Sequence, residues 1–120
     1  MLKKVLIVED YEDARTFMKF LVESYGYEVV EAADGIEAID IFKNQHPDLV
    51  LMDISLPIVD GLTAARAIRE IDKSLKLPII AVTAFGKSFY KKAIEAGCND
   101  LIGKPVDFDT LEPILSHYLH

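Results

Sequence analysis

The sequence predicts an α/β fold built on one five-stranded parallel sheet, and three observations carry that prediction. Short apolar runs alternate with longer stretches whose apolar residues recur at helical spacing. The short runs are apolar at consecutive positions, as strands covered on both faces must be. The connections are brief, so each strand is followed at once by a helix that packs back on the sheet.

Lys4-Val5-Leu6-Ile7-Val8 opens the series, β-branched and apolar on both faces. Ala14, Phe17, Met18, Leu21, Val22 and Tyr25 follow at helical spacing, and Gly26 supplies the stop. Glu28 to Ala32 is a second, more exposed strand, and a helix from about Ile36 to Lys43 turns Ala38, Ile39 and Phe42 inward. Asp48 to Met52 is the third strand. The Asp60-Gly61 turn opens the third helix, which carries Leu62, Ala65, Ile68 and Ile71. Pro78 to Val82 is the fourth strand, and a fourth helix from about Lys87 to Ala96 ends at Gly97. Asp100 to Ile102 is a short fifth strand before a last helix with Leu111, Ile114, Leu115 and Tyr118. Pro113 would break that helix if it began at Asp107, so a start near Thr110 or a kink is expected.

At 120 residues the chain makes one domain, residues 1–120, without linker, repeat or low-complexity segment. Its net charge of -7 argues against nucleic acid or an anionic membrane, since both polyanions require a basic footprint. The apolar run near the start is too short for a signal peptide, and no stretch approaches a bilayer span. Cys98 is the single cysteine, so no internal disulfide forms, its expected role is a small buried side chain, and the cytoplasm is the default compartment. His46, His117 and His120 are too scattered for a zinc site. Arg66, Arg69, Lys91 and Lys92 are expected on solvated helix faces, with Phe89 and Tyr90 offering partner contacts.

In open parallel sheets chemistry sits beyond the carboxyl ends of the strands. The first strand runs out into Glu9-Asp10, the third into Asp53, the fourth into Thr83-Ala84 and the fifth into Lys104-Pro105. Each residue alone reads as a loop charge, a cap or a surface lysine; their joint placement at four strand ends points to a site. Three close carboxylates repel unless a cation joins them, and hard oxygen donors suit Mg²⁺. An aspartate can attack phosphorus and form an acyl phosphate, while Mg²⁺ and an ammonium neutralise the transferring group. Thr83 offers a hydroxyl that would bond a phosphoryl group only once it is present.

Val8-Glu9-Asp10, Met52-Asp53-Ile54-Ser55-Leu56-Pro57, Asp60-Gly61, Val82-Thr83-Ala84 and Lys104-Pro105 resemble, in order and spacing, the motifs of the response-regulator receiver family of bacterial two-component signalling. The resemblance implies a flavodoxin-like doubly wound (βα)5 fold with strand order 2-1-3-4-5. It implies Asp53 as phosphoacceptor, Mg²⁺ on Asp10, Asp53 and the Ser55 backbone carbonyl, and Glu9 acting on the metal mainly through water. Thr83 and Lys104 would contact the phosphoryl group, Ala84 would leave room for it, and the Lys104-Pro105 bond would be cis. The family usually places an aromatic three residues before the lysine, and here that residue is Leu101. Phe85, beside Gly86, is then the aromatic best placed to change exposure.

A haloacid-dehalogenase-type phosphatase needs a second acid two residues after its nucleophile, where this chain has Ser55, and Glu9-Asp10 would repel the phosphate of an FMN protein. A pseudo-receiver that is never phosphorylated remains the alternative, although such domains typically lose the acids or the lysine. The implied partners are a sensor histidine kinase or a histidine phosphotransfer protein, and a downstream protein meeting the face of the fourth helix, fifth strand and fifth helix. The switch is expected to act on no external substrate and to be a monomer, and Met1 favours a stand-alone regulator.

Overall fold

Strands β1 (Lys4–Val8), β2 (Glu28–Ala32), β3 (Leu49–Asp53), β4 (Ile79–Thr83) and β5 (Asp100–Gly103) lie parallel in the order β2-β1-β3-β4-β5. The structure is a computed structural model that describes residues 2–56, 58–72 and 76–119, so Met1, Pro57 and His120 lie outside the described residues. Helices α1 (Glu12–Ser24), α2 (Gly35–Gln45), α3 (Gly61–Ile71), α4 (Tyr90–Glu95) and α5 (Phe108–Leu119) cover the sheet. None of the described helices is long and apolar enough to cross a membrane.

From β1 the chain steps one way to β2, then crosses back to β3 and onward to β5. Right-handed crossovers therefore send α1 to one face and α2, α3 and α4 to the other. Alternate strand residues meet the two layers. Val5, Ile7, Leu49, Leu51, Ile80 and Val82 pack with Met18, Leu21 and Val22 of α1 and with Leu111, Leu115 and Leu119 of α5. Leu6, Val8, Val50, Met52, Ile79 and Ala81 pack with Ala38 of α2, Ala64, Ala65 and Ile68 of α3, and Ala93 of α4. Both sets are buried, which is why the strands are continuous apolar runs in sequence. Each Leu or Ile so buried stabilises the fold by roughly 1.5–3 kcal/mol relative to exposure.

Three expectations are corrected. The fourth helix is divided into a 3₁₀ turn at Gly86–Phe89 and the six-residue α4. Ala93 is the buried anchor of α4, and one anchor gives little packing to impose α geometry on the preceding turn. The last helix does not start late at Thr110. Asp107 Oδ1 accepts the Thr110 N–H at 3.0 Å, and Thr110 Oγ1 accepts the Asp107 N–H at 3.4 Å, a reciprocal cap that starts α5 at Phe108. Pro113 then falls inside α5 and leaves the Asp109 carbonyl without its helical donor. Both residues are exposed, so water can take the donor's place.

Arg69 is not on a solvated face. Its Nε donates to the Gly97 carbonyl at 2.8 Å and its Nη2 to Asn99 Oδ1 at 2.6 Å, while Nη1 pairs with Asp72 at 3.2 Å. The guanidinium thus joins α3 to the turn that enters β5. Cys98 in that turn is buried as expected, and burial pushes its thiol up to about 11.

Candidate functional site

The register sets Val8 beside Met52, Asp53 beside Val82 and Thr83 beside Gly103, so four strands end at one edge of the sheet. Among the described residues, Glu9, Asp53 and Thr83 are the buried polar or charged side chains, and all three stand at that edge. Burying such groups is costly unless each is bonded or paired, and here they are.

Lys104 comes off β5 with its N–H on the Thr83 carbonyl at 2.8 Å, and its peptide bond to Pro105 is cis. Its Nζ lies 2.7 Å from Glu9 Oε1 and 2.9 Å from Asp53 Oδ2. Asp53 Oδ1 accepts the Ser55 N–H at 3.0 Å, and Glu9 Oε2 accepts the Tyr11 N–H at 3.1 Å. Asp10 is exposed, yet one of its oxygens lies within 4.8 Å of an oxygen of Glu9 and of Asp53. Thr83 Oγ1 accepts the Phe85 N–H at 3.0 Å, which leaves the hydroxyl proton to donate elsewhere. Ala84 and Ser55 are exposed at the mouth. A cavity of about 480 Å³, lined by Glu9, Tyr11, Phe17, Ala84, Lys104 and Pro105, opens beside the carboxylates.

The charges are out of balance. Burial pushes the Glu9 carboxyl up; the Lys104 ammonium and the Tyr11 N–H pull it back only in part, and Asp53 adds to the rise. Burial alone would lower Lys104, but hydrogen bonds and charge from Glu9 and Asp53 outweigh it and hold the ammonium above its ordinary value. Glu9 and Asp53 thus share one ammonium, and Asp10 brings a third carboxylate within 4.8 Å of them. Hard oxygen donors with excess negative charge and one exposed ligand fit Mg²⁺, which keeps several waters.

The sequence places Asp53 against α3 by a specific device. Asp60 caps α3, its Oδ1 accepting the Thr63 N–H at 3.0 Å, and that backbone hydrogen bond lowers the Asp60 carboxyl. The Gly61 N–H donates to the Ile54 carbonyl at 3.0 Å. A Cβ at Gly61 would overlap the Asp53 carbonyl oxygen, so only glycine lets the helix start seat on the end of β3. The Asp-Gly pair is legible as a turn; its contact with Asp53 is not.

Arg15 escapes the sequence reading altogether. Its Nη1 donates to the Glu9 carbonyl at 2.9 Å. The available signal was a lone arginine one turn into a helix that begins Glu12-Asp13.

A sequence model of the response regulator receiver domain matches residues 5–116. The chain belongs to that family. It is a receiver domain of two-component signalling, a signalling module whose family binds Mg²⁺ at an acidic site. This receiver is 38% identical over 120 residues to the polar-differentiation response regulator DivK of Brucella ovis, covering 99% of this chain and 98% of the relative. In structure it is similar to the chemotaxis protein CheY4 of Vibrio cholerae, with a TM-score of 0.92 and 27% identity over 99% of this chain and 100% of that one. It is similar too to the receiver domain of the sensor histidine kinase PA1611 of Pseudomonas aeruginosa, with a TM-score of 0.89 and 35% identity over 98% of each chain. That crystal structure holds a magnesium ion coordinated in the active site cleft.

Proposed function

We propose that this receiver, a single domain over residues 1–120, takes a phosphoryl group on Asp53 from a phosphohistidine. The donor is a sensor histidine kinase or a histidine phosphotransfer protein. The observation that carries the reading is the buried Asp53 carboxylate, held by Lys104 on one oxygen and by the Ser55 N–H on the other, with Glu9 and Asp10 in reach of a shared cation.

Glu9, Asp10 and Asp53 would hold the ion, with the Ser55 carbonyl as a further ligand; among the described residues that carbonyl accepts no hydrogen bond. When bound, Mg²⁺ neutralises charge on one side of the transferring group. Lys104 does the same from the other strand end. An Asp53 oxygen bonds to phosphorus as the bond from phosphorus to the imidazole nitrogen breaks, and the donor histidine leaves. The Thr83 hydroxyl turns its free proton to the new phosphoryl oxygens. The cavity beside Ala84 admits the donor. The receiver catalyses its own phosphorylation and dephosphorylation and turns over no other substrate. Its output passes to a protein partner on the face of α4, β5 and α5. The intact acids and lysine favour this reading over an interaction module that is never phosphorylated.

Acetyl phosphate tests it. Labelling of the wild-type chain should require Mg²⁺ and vanish in Asp53→Asn; labelling of that variant at wild-type yield would overturn the assignment.

A further inference from the structure

Of the three acids, Glu9 and Asp53 are each fixed by Lys104 and by a backbone N–H. The Asp10 side chain forms no hydrogen bond or ion pair among the described residues, so its place depends on the backbone that carries it. That backbone has just left the sheet. The pairing of β1 with β2 ends at Val8 and Ala32, and the Glu9 N–H still reaches the Ala32 carbonyl at 3.1 Å. The Glu9 carbonyl, which belongs to the peptide joining Glu9 to Asp10, lies beyond the last strand bond. Its partner is Arg15.

The Arg15 side chain, 19% exposed, bonds that carbonyl through Nη1 at 2.9 Å. Its Nε donates to Glu31 Oε1 at 3.2 Å, and Glu31 lies on β2, with Lys19 3.5 Å from its other oxygen. One planar fork therefore spans from β2 to the peptide that precedes Asp10. We propose that Arg15 is a positioning residue for the metal pocket: it ties the Glu9–Asp10 peptide to β2 and so keeps the Asp10 carboxylate aimed at the ion. This rests on the reading of Glu9, Asp10 and Asp53 as the Mg²⁺ site.

The idea has a sign that a bland role lacks. A guanidinium acting only as a charge near a cation site repels the ion, so its removal would tighten Mg²⁺. A partly exposed pair with Glu31 alone would leave Mg²⁺ unchanged. A brace, when removed, weakens it.

Calorimetric titration with Mg²⁺ on the whole chain separates these cases. Arg15→Ala should bind Mg²⁺ more weakly, on the order of tenfold, the usual scale for losing a group that orients a ligand. Arg15→Lys keeps the charge and one donor but not the fork, and should recover only part of the loss. Glu31→Gln, which exchanges the ion pair at the far end of the brace for a weaker neutral hydrogen bond, should show a smaller weakening. In the metal-free Arg15→Ala protein the Tyr11 amide should exchange faster while the amides of β3 keep their protection. Should Arg15→Ala fail to fold, weakened Mg²⁺ binding in Arg15→Lys and Glu31→Gln supports the brace. Binding as tight as wild type, or tighter, in the variants that fold overturns it. A wild-type chain that takes up no Mg²⁺ overturns the metal reading itself and the brace with it, a failure plainly distinct from the first.

Discussion

Lys104 Nζ lies 2.9 Å from Asp53 Oδ2, a hydrogen-bonded ion pair between residues 51 apart in sequence. The parallel order brings the two together, since β4 alone separates β3 from β5. The same ammonium holds Glu9, so one half-buried lysine partly balances two buried acids.

Removing that balance should have a definite cost. Lys104→Ala leaves Glu9 and Asp53 buried and facing each other, and should destabilise the metal-free protein by on the order of 2 kcal/mol at neutral pH. The deficit should shrink as acid protonates Glu9. Denaturant unfolding at two pH values checks this, and a deficit independent of pH would show that the acids do not cause it.

The direction of the Glu9 shift fixes a second expectation. Its folded value is raised above 4.5, so protons begin to compete with Mg²⁺ at a higher pH than for an ordinary glutamate. Mg²⁺ affinity should fall as pH drops toward that raised value, with a proton released on binding. Without metal, the raised value means that Glu9 favours folding when protonated, and its contribution declines as pH rises from 4.5 through the folded value. Lys104 works at the other end: its contribution is present below 10.5 and lost as pH rises through its raised folded value. Flat Mg²⁺ affinity between neutral and mildly acidic pH would contradict the first of these.

At the start of α3 two substitutions should behave differently. Asp60→Ala removes the cap and should cost about 1 kcal/mol while phosphorylation persists. The cap's contribution is present above 3.8 and lost as pH falls through the lowered folded value of Asp60. Gly61→Ala must displace either α3 or the Asp53 backbone, so phosphorylation should drop along with stability. Full phosphorylation in Gly61→Ala would mean that the contact does not position Asp53.

The readout of the switch is the fourth expectation. Leu101 is half-buried and packs on the core beside α4, with no polar edge to exchange between solvent and interior. Phe85 is 61% exposed, its ring 5.4 Å from that of Phe89, and its N–H rests on Thr83 Oγ1. A Thr83 side chain that moves toward a phosphoryl group carries Oγ1 away and releases that N–H. Structures with and without beryllofluoride should therefore show movement over residues 85–87 and a still Leu101. A swinging Leu101 beside a fixed Phe85 would be the opposite result.

The fold was legible because burial on both sheet faces leaves runs such as Val5-Leu6-Ile7-Val8 in the sequence, and because the strand ends are marked by residues unfit for a core. Glu9, Asp10, Asp53, Thr83 and Lys104 were legible for the same reason: they are polar residues at or just beyond the ends of apolar strands. Arg15 and Arg69 were not, since apart from the pair of Arg69 with Asp72 their partners are backbone carbonyls and side chains 6 to 30 residues away that no local pattern announces. The start of α5 was misjudged because Pro113 is a strong local signal, while the Asp107–Thr110 cap that outweighs it is a matter of three-dimensional geometry.

The most direct test of the central claim is to locate the phosphoryl group chemically. The protein is incubated with acetyl phosphate and Mg²⁺, reduced with borohydride, which converts an aspartyl phosphate to homoserine, and mapped by peptide mass. The expected result is homoserine at position 53 alone, dependent on Mg²⁺ and absent without the phosphodonor. Reduction at another carboxylate, or equal reduction at position 53 without Mg²⁺, would contradict the assignment of Asp53 as the acceptor in a metal-assisted switch.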